Sequence, residues 1–398
     1  MKSLKELYKI GHGPSSSHSM GPAYAAEELH RRVPDLDAVK VILYGSLAKT
    51  GRGHHTDRAI KEALAGVPTD VIFDTEKKEL PHENTLDLIA CRRGREVYRM
   101  RAMSVGGGAV EIEGETRDAA AEVYPERSFL EIAALCRREG MTLSDYVFMR
   151  EGAGIKDYLR RVWAAMQAAV ERGIVTPGVL EGGLGVERKA KYLYEVGRTG
   201  ERDAAREDRL VCAYAFAVAE ENASGGVVVT APTCGACGVV PASLRYISEL
   251  EGFSEDKMIR ALATGGVIGN IVKTNASISG AECGCQAEIG TATSMAAAAI
   301  AELYGMQLEQ VEYAAEVAME HQLGLTCDPI AGLVQIPCIE RNATAAMRAI
   351  DSAMLARFLS GTRKISFDLV TATMYETGRD LNSNYRETAE GGLAKLYK

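Results

Sequence analysis

The sequence contains no stripe of basic residues, no long apolar run and no pattern of a secretory signal. Its 398 residues carry a formal net charge of −8 at pH 7, which excludes nucleic acid as a partner because contacts with phosphates need a basic face. Apolar runs such as Met295–Ala301 are too short to cross a bilayer. The N-terminus lacks the apolar segment and the small-residue cleavage site of a signal peptide. These absences predict a cytoplasmic protein that binds neither nucleic acid nor membrane.

The nine cysteines are the first feature that needs an explanation. Disulfides are rare in the reducing cytoplasm, so we do not expect structural pairs. The thiols are therefore metal ligands, redox groups or small buried side chains. Their neighbours along the chain help to distinguish these uses.

The first part of the chain has the pattern of an α/β domain. Val39–Leu43 and Asp70–Phe73 are short apolar runs typical of strands. Helical patterns accompany them at Gly21–Arg32 and at Thr56–Leu64, where a threonine and an aspartate form a natural helix start.

Nearly all of the remaining sequence has helical periodicity. Ser294–Leu303 is alanine-rich and apolar on every side, which predicts a helix buried all round. The length favours two or three domains. We therefore predict an α+β fold of two domains, with a sandwich-like α/β domain over residues 1–120 and a larger, all-helical catalytic domain over residues 121–398.

Most histidines lie in the first part and most cysteines in the second. If the two domains close on each other, a metal held by thiolates on one wall would face imidazoles on the other. Clefts between domains are common ligand sites. Chance segregation of the two residue types is the alternative.

Several cysteines lie in turns rich in glycine or proline, where the backbone can approach a ligand closely. The cysteines in such turns are Cys234, Cys237, Cys283, Cys285, Cys327 and Cys338. Cys136 and Cys212 fall within helical patterns and are interpreted as packing residues.

The spacing of the cysteines favours neither a structural zinc site nor a ferredoxin. Cys234 and Cys237 form one zinc-type pair, but Cys283 and Cys285 are too close to form the second. A ferredoxin needs a compact run of four cysteines. A cluster held by dispersed thiolates remains, in which an iron open to substrate would act as a Lewis acid.

Pyridoxal phosphate is the other cofactor to consider. It requires a Schiff-base lysine and a glycine-rich phosphate loop. Lys273, followed by Ser279 and Gly280, matches this pattern superficially. The long α/β architecture expected around such a lysine is missing, because helical patterns flank it.

Long motifs spread along nearly the whole chain resemble a known family. The matching segments are Gly13–His18, Tyr44–Ala48, Gly51–Asp57, Pro81–Asn84, Val105–Gly108, Thr230–Ala242, Ser277–Ser294, Cys327–Asn342 and Thr377–Leu393. Their order and spacing resemble those of the bacterial iron-sulfur L-serine dehydratases, in the single-chain form that places a β-type domain before an α-type domain.

The resemblance implies a set of site residues. Cys285, Cys327 and Cys338 would be the thiolate ligands of a [4Fe-4S] cluster, with one iron left open for substrate. His54 and His82 would be the catalytic imidazoles. The implied substrate-binding residues are Ser15, Ser16, Ser17 and His18, with Asn275 and Arg341 as candidates for holding the carboxylate and amino groups.

The implied reaction is the deamination of L-serine to pyruvate and ammonia by β-elimination of water, the activity of an L-serine ammonia-lyase. A pyridoxal-type dehydratase and a non-catalytic serine-sensing or redox protein are the alternatives. We expect a homodimer, the commonest assembly.

The roles of five residues stay open. The family often has Asn and Ala where this chain has Cys234 and Cys237, so an extra thiolate near the cluster is possible. Cys283 could compete with Cys285 as a ligand. His55 adjoins His54 and stays ambiguous, and an interior ion pair is the alternative role for Arg341.

Overall fold

The computed structural model describes residues 1–115, 122–197, 200–359, 361 and 363–397. The predicted domain boundary between residues 120 and 121 falls on 116–121 and so lies outside the described residues. The boundary stays a prediction.

A five-stranded mixed sheet forms the smaller, N-terminal part. The strands and helices of this part are β1 (Ile10–His12), α1 (Gly21–Arg32), β2 (Ala38–Tyr44), α2 (Gly45–Thr50), α3 (Thr56–Ala63), β3 (Thr69–Asp74), β4 (Thr85–Arg92), β5 (Arg95–Ser104) and β6 (Val110–Ile112). The sheet order is β3-β2-β4-β5-β6, and only β2 and β3 run parallel. The two predicted strands and the two predicted helices are confirmed.

Helix α1 covers one face of this sheet. A proline in its first turn, Pro22, suits a helix start because its missing N–H would have no partner there. Ala25, Ala26 and Leu29 recur at helical spacing and are fully buried together with Val41 of β2. This packing holds the segment that precedes α1 in place.

The larger part is mostly helical, and its described residues include one short strand that the prediction of an all-helical domain did not contain. Its elements are α4 (Phe129–Glu139), α5 (Leu143–Glu151), α6 (Gly154–Gly173), α7 (Ala190–Glu195), α8 (Asp203–Ala223), β7 (Val227–Val229), α9 (Val239–Glu251), α10 (Glu255–Asn275), α11 (Gly280–Cys283), α12 (Thr291–Leu303), α13 (Leu308–Glu320), α14 (Cys338–Leu359), α15 (Phe367–Asp380) and α16 (Gly392–Leu396). Helix α12 lies at the centre, buried on all sides as its composition predicts. None of the described helices combines the length and apolar character needed to cross a bilayer.

The first residues of the chain belong to the helical core. Leu4, Leu7 and Tyr8 are fully buried in it, and β1 pairs antiparallel with β7, with Ile10 opposite Val229. This pairing anchors the next segment, residues 13–20, between the sheet and the helices.

Candidate active site between the sheet and the helices

The structure brings three of the cysteines together. Cys285 precedes a π-helical turn that leads into α12, Cys327 lies in the loop after α13, and Cys338 begins α14. The Cys327 thiol donates a hydrogen bond to the Cys285 sulfur, and the Arg341 guanidinium contacts the same sulfur. Cys285 and Cys327 are each 5% exposed.

The electrostatics of this group favour one thiolate. The hydrogen bond from Cys327, with the charge of Arg341, lowers the pKa of Cys285 although burial opposes the shift. The bond to Cys285, together with burial, raises the pKa of Cys327. Burial raises the pKa of Cys338. A metal would replace these protons, because thiolates and not thiols are its ligands.

The donor set and its surroundings fit an iron-sulfur cluster with three protein ligands. Soft thiolates select such clusters, and Arg341 offsets part of the negative charge. Gly280 lines the group: a Cβ there would lie 3.2 Å from Cys327 Sγ and 2.6 Å from Glu288 Oε2. Glycine therefore leaves room beside the sulfurs that any other residue would fill.

We expect Gly280→Ala to lower the iron content and the activity of the protein, because its methyl group would displace Cys327 or Glu288. Overpacking of this kind costs about 1–3 kcal/mol. Iron analysis and thermal melting would measure the change. Gly154→Ala is the matched control, since a Cβ at that helix terminus meets nothing within 4 Å; equal iron loss in both variants would contradict the assignment.

The side chains of three other cysteines, Cys283, Cys234 and Cys237, contact other groups. Cys283 packs against α15, where a Cβ at Gly378 would lie 2.5 Å from Cys283 Cβ. Gly284, with a φ of 73°, turns the chain between Cys283 and Cys285. Cys234 Sγ lies 3.7 Å from Met20 Sδ, and Cys237 Sγ lies 4.0 Å from Val218 O.

Cys136 and Cys212 contact other groups in the helical core. Cys136 Sγ lies 3.8 Å from Thr142 O, and Cys212 Sγ lies 3.8 Å from Met347 Sδ. These contacts fit the predicted packing roles.

His18 lies on a second π-helical turn, Ser16–Met20, that continues into α1. The Ser15 hydroxyl accepts a hydrogen bond from His18 N at 3.1 Å. His18 Nε2 is 3.0 Å from Ser46 Oγ, which itself donates to a backbone oxygen. His18 Nε2 is therefore the protonated nitrogen, and Nδ1 accepts from Ser17 Oγ at 2.9 Å. π-helical turns often occur at functional sites.

His54 is oriented differently. Its Nδ1 lies 3.0 Å from Thr50 O and must donate to that carbonyl. The lone pair is therefore on Nε2, which is buried and has no hydrogen-bond partner among the described residues. Burial lowers the pKa of His54 to about 4. The His18 and His54 rings are 4.3 Å apart between centroids.

Glu387 joins the histidines to the cysteines, and the sequence analysis did not single it out. Its Oε1 lies 3.7 Å from His18 Nδ1 and 3.8 Å from His54 Nε2. Burial raises its pKa, and the charges of Glu288 and Cys285 add to the shift. The only sequence signal was its position within the matched segment Thr377–Leu393. His18, His54 and Glu387 could also hold a metal ion, since one ligand atom from each lies within 4.8 Å of the others.

Two further predicted site residues, Asn275 and His82, have surroundings of their own. Asn275 is exposed at the end of α10, where its side chain donates to Arg127 O at 2.6 Å. His82 is half-buried; its Nδ1 accepts from Asn84 N at 3.0 Å, and burial lowers its pKa while the charge of Glu282 opposes the shift. The structure places His82 near α11 and does not bring Asn275 to the histidines or the cysteines.

The hydrogen bonds and ion pairs of Arg341 and Lys273 indicate what these two side chains do. Arg341 Nη1 donates to Thr326 O at 2.6 Å, and Nη2 lies 3.5 Å from Asp328 Oδ1. Arg341 therefore combines an interior ion pair with its contact to Cys285. Lys273 Nζ donates to Glu6 O at 2.7 Å, so it holds the N-terminal residues against α10.

One large cavity among the described residues is not lined by the three cysteines. It measures about 800 Å³ and is lined by residues that include His12, His55 and Arg58. Ser19 also lines it and donates to His54 O. His55 thus faces a different space from the buried Nε2 of His54.

Two protein-family models match this chain. Residues 84–394 match the family model described as serine dehydratase alpha chain, and residues 3–70 match the one described as serine dehydratase beta chain. The chain belongs to the serine dehydratase family. The predicted family and enzyme class are thereby confirmed. Strands β4, β5 and β6 lie in the alpha-chain match, so both matched ranges contribute to the sheet.

Curated relatives of this serine dehydratase family chain align over nearly their whole length. The chain is 44% identical to L-serine dehydratase 1 of Escherichia coli K12, over 99% of each chain. It is 42% identical to the L-serine dehydratase of Streptomyces coelicolor, over 98% of each. For the L-serine dehydratase of Helicobacter pylori the identity is 40%, over 100% of this chain and 99% of the relative.

Proposed function

We propose that this chain deaminates L-serine to pyruvate and ammonia, using a [4Fe-4S] cluster held by Cys285, Cys327 and Cys338. The observation that carries the proposal is the grouping of three cysteines, of which Cys285 and Cys327 are buried, beside two buried histidines, with the Glu387 carboxyl group between them. The names of the aligned relatives support the substrate. We also propose a cytoplasmic location; the homodimer stays a prediction.

When bound, the cluster supplies a Lewis-acidic iron that stabilises negative charge on a departing hydroxyl group. Arg341 contributes by lowering the pKa of the Cys285 thiol. Its contact with Cys285 supports this electrostatic role, and its ion pair with Asp328 fixes the guanidinium beside the sulfur.

We assign His54 as the base that removes the α-proton of serine. The Thr50 carbonyl holds the proton on Nδ1 and so leaves the Nε2 lone pair available. A base must be neutral to accept a proton, and burial keeps this imidazole neutral. His82 lies in a partly exposed loop with its Nδ1 occupied, so we place it at the rim of the site.

The segment Ser15–His18 is proposed to bind the substrate's polar groups. All four side chains are buried against the helical part although each is polar. Ser17 and Ser46 fix the His18 ring from both nitrogens. A fixed imidazole with a protonated Nε2 is suited to orientation rather than to proton abstraction. Since Asn275 lies outside this group, we leave it out of the proposed site.

The pH dependence of kcat/KM should reflect the neutral state of His54. Because burial lowers its pKa from 6.5 to about 4, the base stays deprotonated above that pH, and activity should fall only as the pH drops toward about 4. A pH profile in anaerobic buffers would measure this. An acidic limb near the ordinary histidine value of 6.5 would contradict the assignment.

Anaerobic reconstitution with iron and sulfide, followed by a pyruvate assay with L-serine, tests the proposal directly. We expect pyruvate only from the reconstituted protein. Activity in iron-free protein that hydroxylamine abolishes would instead indicate a pyridoxal enzyme. Binding of L-serine by the reconstituted protein without pyruvate formation would indicate a sensing role. The contact of Lys273 with Glu6 O supports the iron-sulfur alternative over the pyridoxal one.

A further inference from the structure

A second cavity lies beside the start of α14, on the side of Gln335. It measures about 380 Å³ and its apolar wall includes Phe216, Ile336 and Ile339. Two buried polar residues, Glu220 and Gln335, also line it. The proposed reaction uses neither of them.

Each of these two side chains has one oxygen that makes no hydrogen bond to the described residues. Glu220 is 1% exposed, and its Oε1 accepts from Lys189 N at 2.6 Å, at the start of α7. Gln335 is 3% exposed, and its Nε2 donates to Glu181 O at 2.6 Å. Glu220 Oε2 and Gln335 Oε1 are buried and have no hydrogen-bond partner within the described ranges. Buried polar atoms of this kind are costly unless something binds them.

In the part of the chain that the structure describes, Glu220 forms no ion pair, and the two nearest cations bind other groups. Arg188 donates to Glu221 at 3.0 Å and to Ser224 Oγ at 2.7 Å. The Lys189 ammonium lies 3.6 Å from Glu340. Burial raises the pKa of Glu220 to about 7, and the backbone hydrogen bond from Lys189 N and the charges of Arg188 and Lys189 offset this effect only in part.

We propose that this cavity binds one weakly hydrated monovalent cation, of the size of potassium or ammonium, through Glu220 Oε2 and Gln335 Oε1. Carboxylate and amide oxygens are ligands for hard cations. One buried carboxylate balances one positive charge, and the apolar wall suits a cation that loses water easily. The Phe216 ring does not contribute a free face, because the Lys189 ammonium lies 5.8 Å from its centroid. Magnesium retains its waters and demands strict octahedral geometry, so it fits poorly.

Ammonium is a product of the reaction proposed above, so the ammonium alternative rests on that proposed function, whereas the potassium alternative does not. A bound cation would hold Gln335, whose backbone oxygen accepts from Ile339 N at 3.0 Å in the first turn of α14. That turn carries Cys338. Cation binding should therefore stabilise the folded chain and the turn that presents this thiol.

The test is a series of melting temperatures for the anaerobically purified protein in potassium, ammonium, sodium and choline chloride at equal ionic strength. At a concentration about ten times Kd, a bound cation raises the ratio of folded to unfolded protein about 11-fold. We expect potassium, ammonium or both to raise Tm above its value in choline and sodium chloride. If potassium and ammonium both raise Tm, the site selects cations by size. If only one of them raises Tm, that ion is the ligand. The same Tm in all four salts would mean that the cavity holds only water, and would overturn the proposal.

Three variants localise the effect. Glu220→Gln keeps an acceptor for Lys189 N but removes the charge, and Gln335→Leu removes the second oxygen; both should lose the cation-dependent rise in Tm. Glu340→Gln, on the exposed rim, should keep it. If Glu220→Gln does not fold, Gln335→Leu decides. A full cation response in either cavity variant would overturn the proposal, and since no pyruvate is measured, the result is independent of the proposed activity.

Discussion

Cys327→Ala should lose its iron, its sulfide and its pyruvate-forming activity together. Cys327 belongs to the thiol group, since its sulfur hydrogen-bonds Cys285 and faces the space that Gly280 leaves open. Removing one ligand of three leaves too few donors to hold a cluster. We expect activity to fall by more than about 100-fold, because even partners of metal ligands are worth 10–100-fold. Iron and sulfide analysis of the anaerobically purified variant would measure the loss.

Cys283→Ala is the matched control for this experiment. Cys283 is equally buried and lies two residues from Cys285, but it packs against Gly378 of α15. Its iron content and activity should stay close to those of the unmodified protein. If Cys283→Ala lost its iron while Cys327→Ala kept it, the ligand assignment would be wrong.

His54→Asn should keep its cluster and lose most of its turnover. An asparagine amide can still donate toward Thr50 O, so the local fold is preserved, but it cannot accept the α-proton. General-base catalysis contributes about 10²–10⁴-fold, and kcat should fall by that factor. Iron content and the visible absorbance of the cluster should be unchanged. The measurement is pyruvate formation at saturating L-serine.

His55→Asn is the control for the neighbouring imidazole. His55 lines the larger cavity and has a φ of 53°, a conformation that asparagine tolerates better than most residues. We expect activity within a few-fold of the unmodified protein. Near-normal turnover in His54→Asn together with a strong loss of turnover in His55→Asn would indicate that His55, and not His54, is the base.

Local patterns in the sequence predicted the elements of the fold well. The apolar runs at Val39–Leu43 and Asp70–Phe73 became paired strands, and the all-round apolar Ser294–Leu303 became the central helix. These successes have a common reason: the period of the side chains depends on neighbours only a few residues away. The position of the first residues in the helical core was not predicted, because β1 pairs with β7 through contacts far apart in the sequence.

The residues of the candidate site were likewise predicted only in part from the sequence. Spacing alone could not choose between Cys283 and Cys285, and the choice depends on the turn at Gly284, which points the two side chains in different directions. Glu387 was missed because a single acidic residue in a polar segment carries no pattern. Asn275 was included by its sequence neighbourhood, but the end of α10 exposes it. A local turn decides the first case, and contacts between distant segments decide the position of Glu387.

The central claim is a cluster with three cysteine ligands and one iron open to serine. Mössbauer spectroscopy of protein reconstituted anaerobically with enriched iron tests it most directly, because it separates the iron sites of a cluster. We predict a [4Fe-4S] signal in which the addition of L-serine shifts one of the four iron sites and leaves the others unchanged. A spectrum without such a cluster, or a cluster whose four sites are all unaffected by saturating L-serine, would contradict the account.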